Sequence, residues 1–167
     1  GEIFHGCSDY AGEFGHMTVI PGGRSCTCGN LGCIESYSSG TGIINAALLI
    51  RDRCPDSLLK EHKAEEITPL LVEQLAERGD VYCRDIYTEA GRLLGGMLAS
   101  VTNLLDLERV IIGGGISAAG DLLYKPLFSA YGAQVLPEAR KNCEVVKAEL
   151  GNNAGLMECA AAVYMRR

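Results

Sequence analysis

Three cysteines crowd into Cys26-Thr27-Cys28-Gly29-Asn30-Leu31-Gly32-Cys33, a C-x-C-x4-C run that puts three thiols in one short loop. Zinc takes four tetrahedral ligands drawn from thiolate and imidazole, so the run supplies three and leaves a fourth to be found. Of the three histidines, His16 lies ten positions before Cys26, across Pro21-Gly22-Gly23, a turn able to fold it back onto the loop; His5 and His62 are further away. Gly29 and Gly32 let the backbone curl tightly between the sulfurs. Buried structural thiols beside a satisfied histidine would explain any one of these residues alone. Four ligands in this arrangement favour a metal, and because they close the coordination sphere, the zinc expected at His16, Cys26, Cys28 and Cys33 is structural rather than a Lewis acid.

Two carboxylates bracket this knot: Glu13, three residues before His16, and Glu35, two after Cys33. A carboxylate held beside a rigid loop is suited to accept hydrogen bonds from the hydroxyls of a sugar; two solvated glutamates are the plain alternative. Further on, the apolar run Arg109-Val110-Ile111-Ile112 meets Gly113-Gly114-Gly115. A strand followed by such a turn can receive a phosphate or simply reverse tightly, and it lacks the Lys-Ser/Thr ending of a P-loop.

The elements that must position these residues can be read from periodicity. Glu2 to Ile34 is rich in glycine and turn residues, with short apolar pieces such as Met17-Thr18-Val19-Ile20, which predicts strands and loops, the ligands lying on loop. Helices are predicted from Gly42 to Arg53 and after Thr68-Pro69, where threonine caps and proline suits the first helical position. From Asp80 to Leu105, Ile86, Ala90, Leu93, Leu94, Met97, Leu98, Val101 and Leu105 recur at helical spacing and predict a long core-facing helix. Glycines 91, 95 and 96 interrupt it, at about 1 kcal/mol each against alanine, which implies that another element passes close to its surface. The last third alternates: a buried strand at Arg109–Ile112, a helix near Leu122–Tyr131, a strand at Glu144–Lys147 and a helix at Ala154–Tyr164. The expected architecture is one α/β domain over residues 1–167, a twisted sheet with flanking helices and crossover connections.

Composition narrows the class. The 167 residues are 47% hydrophobic and 22% charged, ordinary for a globular domain, and no apolar stretch approaches the roughly 20 residues that span a bilayer. The start, Gly1-Glu2-Ile3-Phe4-His5, lacks the basic and apolar blocks of a leader. A net charge of −6 with scattered basic residues argues against direct contact with nucleic acid. Of the eight cysteines, three cluster as metal ligands do; the dispersed five, with Cys143 and Cys159 in apolar surroundings, show no disulfide framework, so a reduced, cytoplasmic protein is expected.

Taken together, Glu13-x-Gly15-His16 and Cys26-x-Cys28-Gly29-x-x-Gly32-Cys33-x-Glu35 resemble the paired signatures of the ROK family of sugar kinases and sugar-responsive repressors. Ala11-Gly12-Glu13, Ile111-Ile112-Gly113-Gly114-Gly115 and Asn153-Ala154-Gly155 resemble further landmarks of that family, so the likeness covers most of the chain. It implies that His16 and the three cysteines bind zinc, that Glu13, His16 and Glu35 line the sugar pocket, and that Gly113, Gly114 and Gly115 lie near the nucleotide. The implied fold is the C-terminal half of an actin-like ATPase (ribonuclease H-like). Kinases of the family carry a phosphate loop and an Asn-Asp pair with the catalytic base, and its repressors add a winged helix-turn-helix; neither pattern occurs in this sequence. The expectation is therefore the C-terminal half of an ATP- and magnesium-dependent sugar kinase, with an effector-sensing repressor domain as the competing reading. A sugar ligand, an upstream half and a second copy in a homo-oligomer are the partners that go with it. No catalytic residue is expected within the chain itself.

Overall fold

The computed structural model describes residues 3–149 and Met157. The helix expected at Ala154–Tyr164, the Asn153-Ala154-Gly155 landmark and Cys159 lie outside the described residues. After an irregular, turning start come a single 3-10 turn at Phe14–His16 and the cysteine loop, then a one-turn helix α1 (Glu35–Ser38) and α2 (Gly40–Arg53). Two 3-10 turns lead to α3 (Pro69–Glu77) and the long α4 (Val81–Leu105). Strand β1 (Arg109–Ile112), a 3-10 turn at Gly115–Ala119, α5 (Asp121–Gln134), α6 (Pro137–Asn142) and β2 (Glu144–Lys147) complete the order.

Local chemistry sets the helix boundaries. The Ser39 hydroxyl accepts from the Gly42 N–H, and that of Thr68 from Leu71, each satisfying an orphan donor of a first turn. Asp80 starts α4: one carboxylate oxygen accepts from the Cys83 N–H at 3.0 Å, the other from the Ser57 hydroxyl and the Leu58 N–H, both at 2.7 Å. One buried side chain thus ties α4 to the connection between α2 and α3.

α4 is the spine of the domain. Ile86, Tyr87 and Ala90 pack with Ile43, Leu59, Val72 and Leu75 of the α2–α3 layer. Leu98 and Ala99 pack with Leu127 and Tyr131 of α5 and with Ile112 of β1, while Leu93 packs with Ile34 and Tyr37 under the cysteine loop. The element expected to pass close to the interrupting glycines is α5. A Cβ on Gly91 would stand 2.4 Å from the Leu123 carbonyl oxygen and one on Gly95 2.2 Å from that of Leu127, so the two backbones meet where side chains are missing.

Two expectations need correction. Met17–Ile20 is not a strand; only isolated antiparallel bridges, Thr18 with Cys33 and Ser25 with Leu31, organise that stretch, because its hydrogen bonds are spent on the tight loop. β1 is not buried throughout: Ile112 is, but Ile111 is 64% exposed, since among the described residues helices pack on one face of the strand only. The sheet among the described residues has two strands, β1 and β2, paired in parallel with Arg109 opposite Glu144 and Ile112 opposite Lys147. α5 and α6 form the crossover between them, as parallel pairing requires. The sequence pattern did not mark α6 or the one-turn α1.

Burial raises the Asp80 carboxyl, but the Cys83 N–H, the Ser57 hydroxyl and the N–H groups of Leu58 and Tyr82 outweigh it and hold the carboxyl below its ordinary value. Such a group stabilises the fold above its unfolded pKa, and the contribution disappears as the pH falls through the folded one. Asp80→Ala should therefore cost about 2–3 kcal/mol at neutral pH, from a lost cap and stranded donors. Urea unfolding at pH 7 and at about pH 3 should show the gap to wild type narrowing at the acid end; equal stability at pH 7 would overturn the assignment.

Candidate metal centre and adjoining cleft

The loop that carries the cysteines is folded by its own backbone. Cys26 N–H donates to the Asn30 carbonyl and Gly29 N–H to that of Cys26, while Gly32 N–H reaches back to Arg24 and Ile34 N–H to Met17. Gly32 has φ +80°, and a Cβ there would sit 1.7 Å from the Ile20 carbonyl oxygen, so the return of the loop past residue 20 requires glycine. The turn at Pro21-Gly22-Gly23 closes with Gly23 N–H on Ile20, which swings the preceding segment onto the cysteines as its glycines suggest.

The four residues singled out by spacing meet. His16, Cys26, Cys28 and Cys33 each offer one donor atom, and these lie within 4.8 Å of one another. Cys28 Sγ is 3.7 Å from Cys33 Sγ, and Cys26 Sγ is 3.5 Å from His16 Nδ1. A tetrahedral zinc with Zn–S of about 2.3 Å and Zn–N of about 2.0 Å needs donors roughly 3.5–3.8 Å apart, so the donor chemistry and these two distances fit that ion. The Cys28 N–H, with the Cys28, His16 and Cys33 side chains, brings Cys26 down to about 6; His16 is raised in turn, first by its contact with Cys26. Burial pushes Cys33 up to about 12. A bound cation would reverse that last effect, because coordination deprotonates a thiol outright.

The carboxylates lie on either side. Glu13 Oε2 is 3.5 Å from His16 Nε2, the ring nitrogen turned away from the sulfurs. A carboxylate on the outer nitrogen fixes the tautomer and orientation of a ligating histidine. Glu35 opens α1; its Oε1 accepts from Thr27 Oγ1 at 3.4 Å and lies 4.0 Å from Cys26 Sγ. Gly15 leaves room beside it, for a Cβ there would touch Glu35 Oε2 at 3.4 Å.

A cleft of about 400 Å³ adjoins the loop, lined by Phe14, Gly15, Ile34 and Glu35 on one side and by Val110–Gly113 and Ile116 on the other, with Leu94 and Leu98 of α4 between. Glu35 and Gly113, 78 residues apart, therefore share one cavity; Glu13, His16, Gly114 and Gly115 do not line it. Gly114, at φ +87°, leads into the 3-10 turn, and its carbonyl accepts from the Ser117 hydroxyl at 2.7 Å, so the glycine run makes a tight, side-chain-braced turn. Ser38, Ser39, Thr27 and Arg24 complete the surroundings without any signal in the spacing of sequence motifs; only their nearness to Cys26 and Glu35 in the chain could have pointed to them.

The α/β domain thus brings together a Cys3His donor set, two flanking carboxylates and a cleft reaching to a glycine turn. The ROK family model matches residues 1–166, and the chain belongs to that family. It is 37% identical over 160 residues to a glucokinase of Halalkalibacterium halodurans, covering 94% of this chain and 48% of that protein. It is 32% identical over 166 residues to the DNA-binding transcriptional repressor Mlc of Escherichia coli, covering 98% and 39%. A solved ROK glucokinase of Streptomyces griseus, in complex with glucose and AMPPNP, superposes with a TM-score of 0.74 at 33% identity, covering 87% of this chain and 49% of that one. The chain thus spans about half the length, or less, of the relatives it matches. No described helix is long and apolar enough to cross a membrane.

Gly32→Ala tests the loop directly. It should lower the melting temperature and speed cleavage between residues 20 and 33 by a nonspecific protease; unchanged cleavage would mean the loop has another way past Ile20.

Proposed function

We propose that this chain is the C-terminal, sugar-facing half of an ATP-dependent kinase acting on a hexose or N-acetylhexosamine. The single observation that carries the reading is the shared cleft: Glu35, held beside the cysteine loop, faces the same cavity as Gly113 at the end of β1. A carboxylate for hydroxyls and a backbone turn for a phosphate-bearing ligand belong on opposite walls of such a cleft. The glucokinase relatives support it, and half of an actin-like ATPase is the fold that goes with it.

In this reading Glu13 and Glu35 accept hydrogen bonds from sugar hydroxyls, while His16 presents its Nε2 edge to Glu13 and the sugar. His16 Nδ1 and the sulfurs of Cys26, Cys28 and Cys33 hold zinc, which when bound supplies a rigid cross-link to the loop that carries these groups. ATP and magnesium belong with an upstream half, the Gly113–Gly115 turn lying near the nucleotide. The likeness to Mlc favours a second reading, the effector-binding part of a sugar-responsive repressor, in which the same carboxylates would read the sugar without turnover.

Protein purified without chelator should carry one zinc per chain by elemental analysis, and Cys28→Ser should lose it together with several degrees of melting temperature. No stoichiometric zinc in the wild type, or full zinc and unchanged melting in the variant, would sink the metal assignment.

The full-length protein should phosphorylate a hexose or N-acetylhexosamine with Mg-ATP, and Glu35→Gln should raise KM for the sugar about ten- to hundredfold, the cost of one charged hydrogen bond. The 167-residue chain alone should turn over nothing, for want of a base and a phosphate loop. DNA binding released by sugar, with no phosphorylation, would establish the repressor instead.

A further inference from the structure

Arg24 stands two residues before Cys26 and belongs to neither the donor set nor the cleft. Its guanidinium donates to Glu89 Oε2 on α4 at 2.5 Å and to the Ser36 carbonyl on α1 at 3.3 Å, and its Cζ lies 4.3 Å from the centre of the Tyr37 ring. Its backbone is engaged as well: the N–H donates to the Tyr37 hydroxyl at 2.8 Å, and the carbonyl accepts from Gly32 at 2.7 Å. A planar, permanently charged fork can serve a carboxylate, a carbonyl and an aromatic face together; an ammonium cannot.

These contacts divide into two kinds. Ser36 Oγ on the Ser25 carbonyl, Thr27 on Glu35 and Arg24 on Ser36 bind the cysteine loop and α1 into one body. Among the described residues, hydrogen bonds reach from that body to α4 at Arg24–Glu89 and at Ser38–Ala90, alongside the packing of Ile34 and Tyr37 on Leu93. Arg24 is the member of this set that belongs to the loop itself.

We propose that Arg24 is a positioning residue that locks the metal knot, and the turn of α1 bearing Glu35, onto α4. The inference rests on the metal-site reading above. Metal binding stiffens residues 26–33, and the Arg24 fork carries that stiffness to Glu89; without the fork the donors remain, but the loop that holds them can tilt away from the helix and open.

The test uses the full-length protein with cobalt(II) as the probe, in Arg24→Gln, Glu89→Gln, the double variant and Arg24→Lys. The thiolate–cobalt absorption spectrum should match the wild type, because no ligand is touched. Cobalt loss to excess EDTA should quicken about tenfold, and by the same factor in both single variants and the double. Arg24→Lys, which keeps the charge pair but not the fork, should recover only part of the difference. Wild-type release in Arg24→Gln, or factors that multiply in the double variant, would overturn the proposal. So would an equal loss of melting temperature in cobalt-loaded and metal-free protein, the mark of a merely structural residue. A wild type with no thiolate–cobalt spectrum would bring down the metal-site reading and this inference with it, whereas a normal wild-type spectrum with unaltered release in the variants sinks this inference alone.

Discussion

The close approach of α4 to α5 is the constraint on which the rest of the domain depends. Where the backbones pass at Gly91 and Gly95 there is no room for even a methyl group, since the Leu123 and Leu127 carbonyls stand where one would go. That contact fixes α5, and α5 leads into the crossover that sets β2 beside β1. The opposite end of α4 is fixed by Asp80 and by the α2–α3 layer. With both ends held, Leu93 and Leu94 are left facing the underside of the cysteine loop, and Leu94 and Leu98 form the floor of the cleft. Close-packed interiors transmit displacement, so a shift of this one helix would move both walls of the site.

The cysteine loop solves a different problem. It has almost no regular structure, and it rests on a small cluster of Ile34, Tyr37 and Leu93 rather than on the main core. Its shape comes from glycine turns and backbone hydrogen bonds between near neighbours, and its donors converge to within 4.8 Å. A loop of that kind holds carboxylates in place only if something stiffer than side-chain packing cross-links it, and a four-donor metal centre is suited to that task.

Much of this was legible from residue types, for identifiable reasons. The meeting of His16 with Cys26, Cys28 and Cys33 was legible because a shared ligand role would constrain spacing and residue type at once, and because a glycine turn stood between the histidine and the cysteines. The long helix was legible because 25 residues of helical periodicity outweigh three glycines, and the glycines themselves announced a close neighbour. Illegible parts had equally physical causes. Met17–Ile20 carries strand-like residues, but its backbone partners come from the loop and not from a sheet. β1 reads as buried because Val110, Ile111 and Ile112 are all apolar, and nothing in a run of apolar residues tells which face a helix will cover. The meeting of Glu35 with Gly113 is a matter of tertiary path, set by how α4 lies, and Arg24 is invisible to any motif because its partners come from three separate elements.

The sequence separations within these contacts differ widely. His16 and Cys33, the outermost donors, are 17 residues apart, whereas Arg109 and Glu144 meet across 35 and the two walls of the cleft across 78. Closing the short loop sacrifices little chain entropy, and the parallel strand pair must wait for a whole helical crossover to be laid down. Along the chain residues 16 to 33 precede α4, so the loop's own contacts can close before that helix is complete. The sheet would then form against a loop already shaped, so the order of closure along the chain follows the spacing of its contacts.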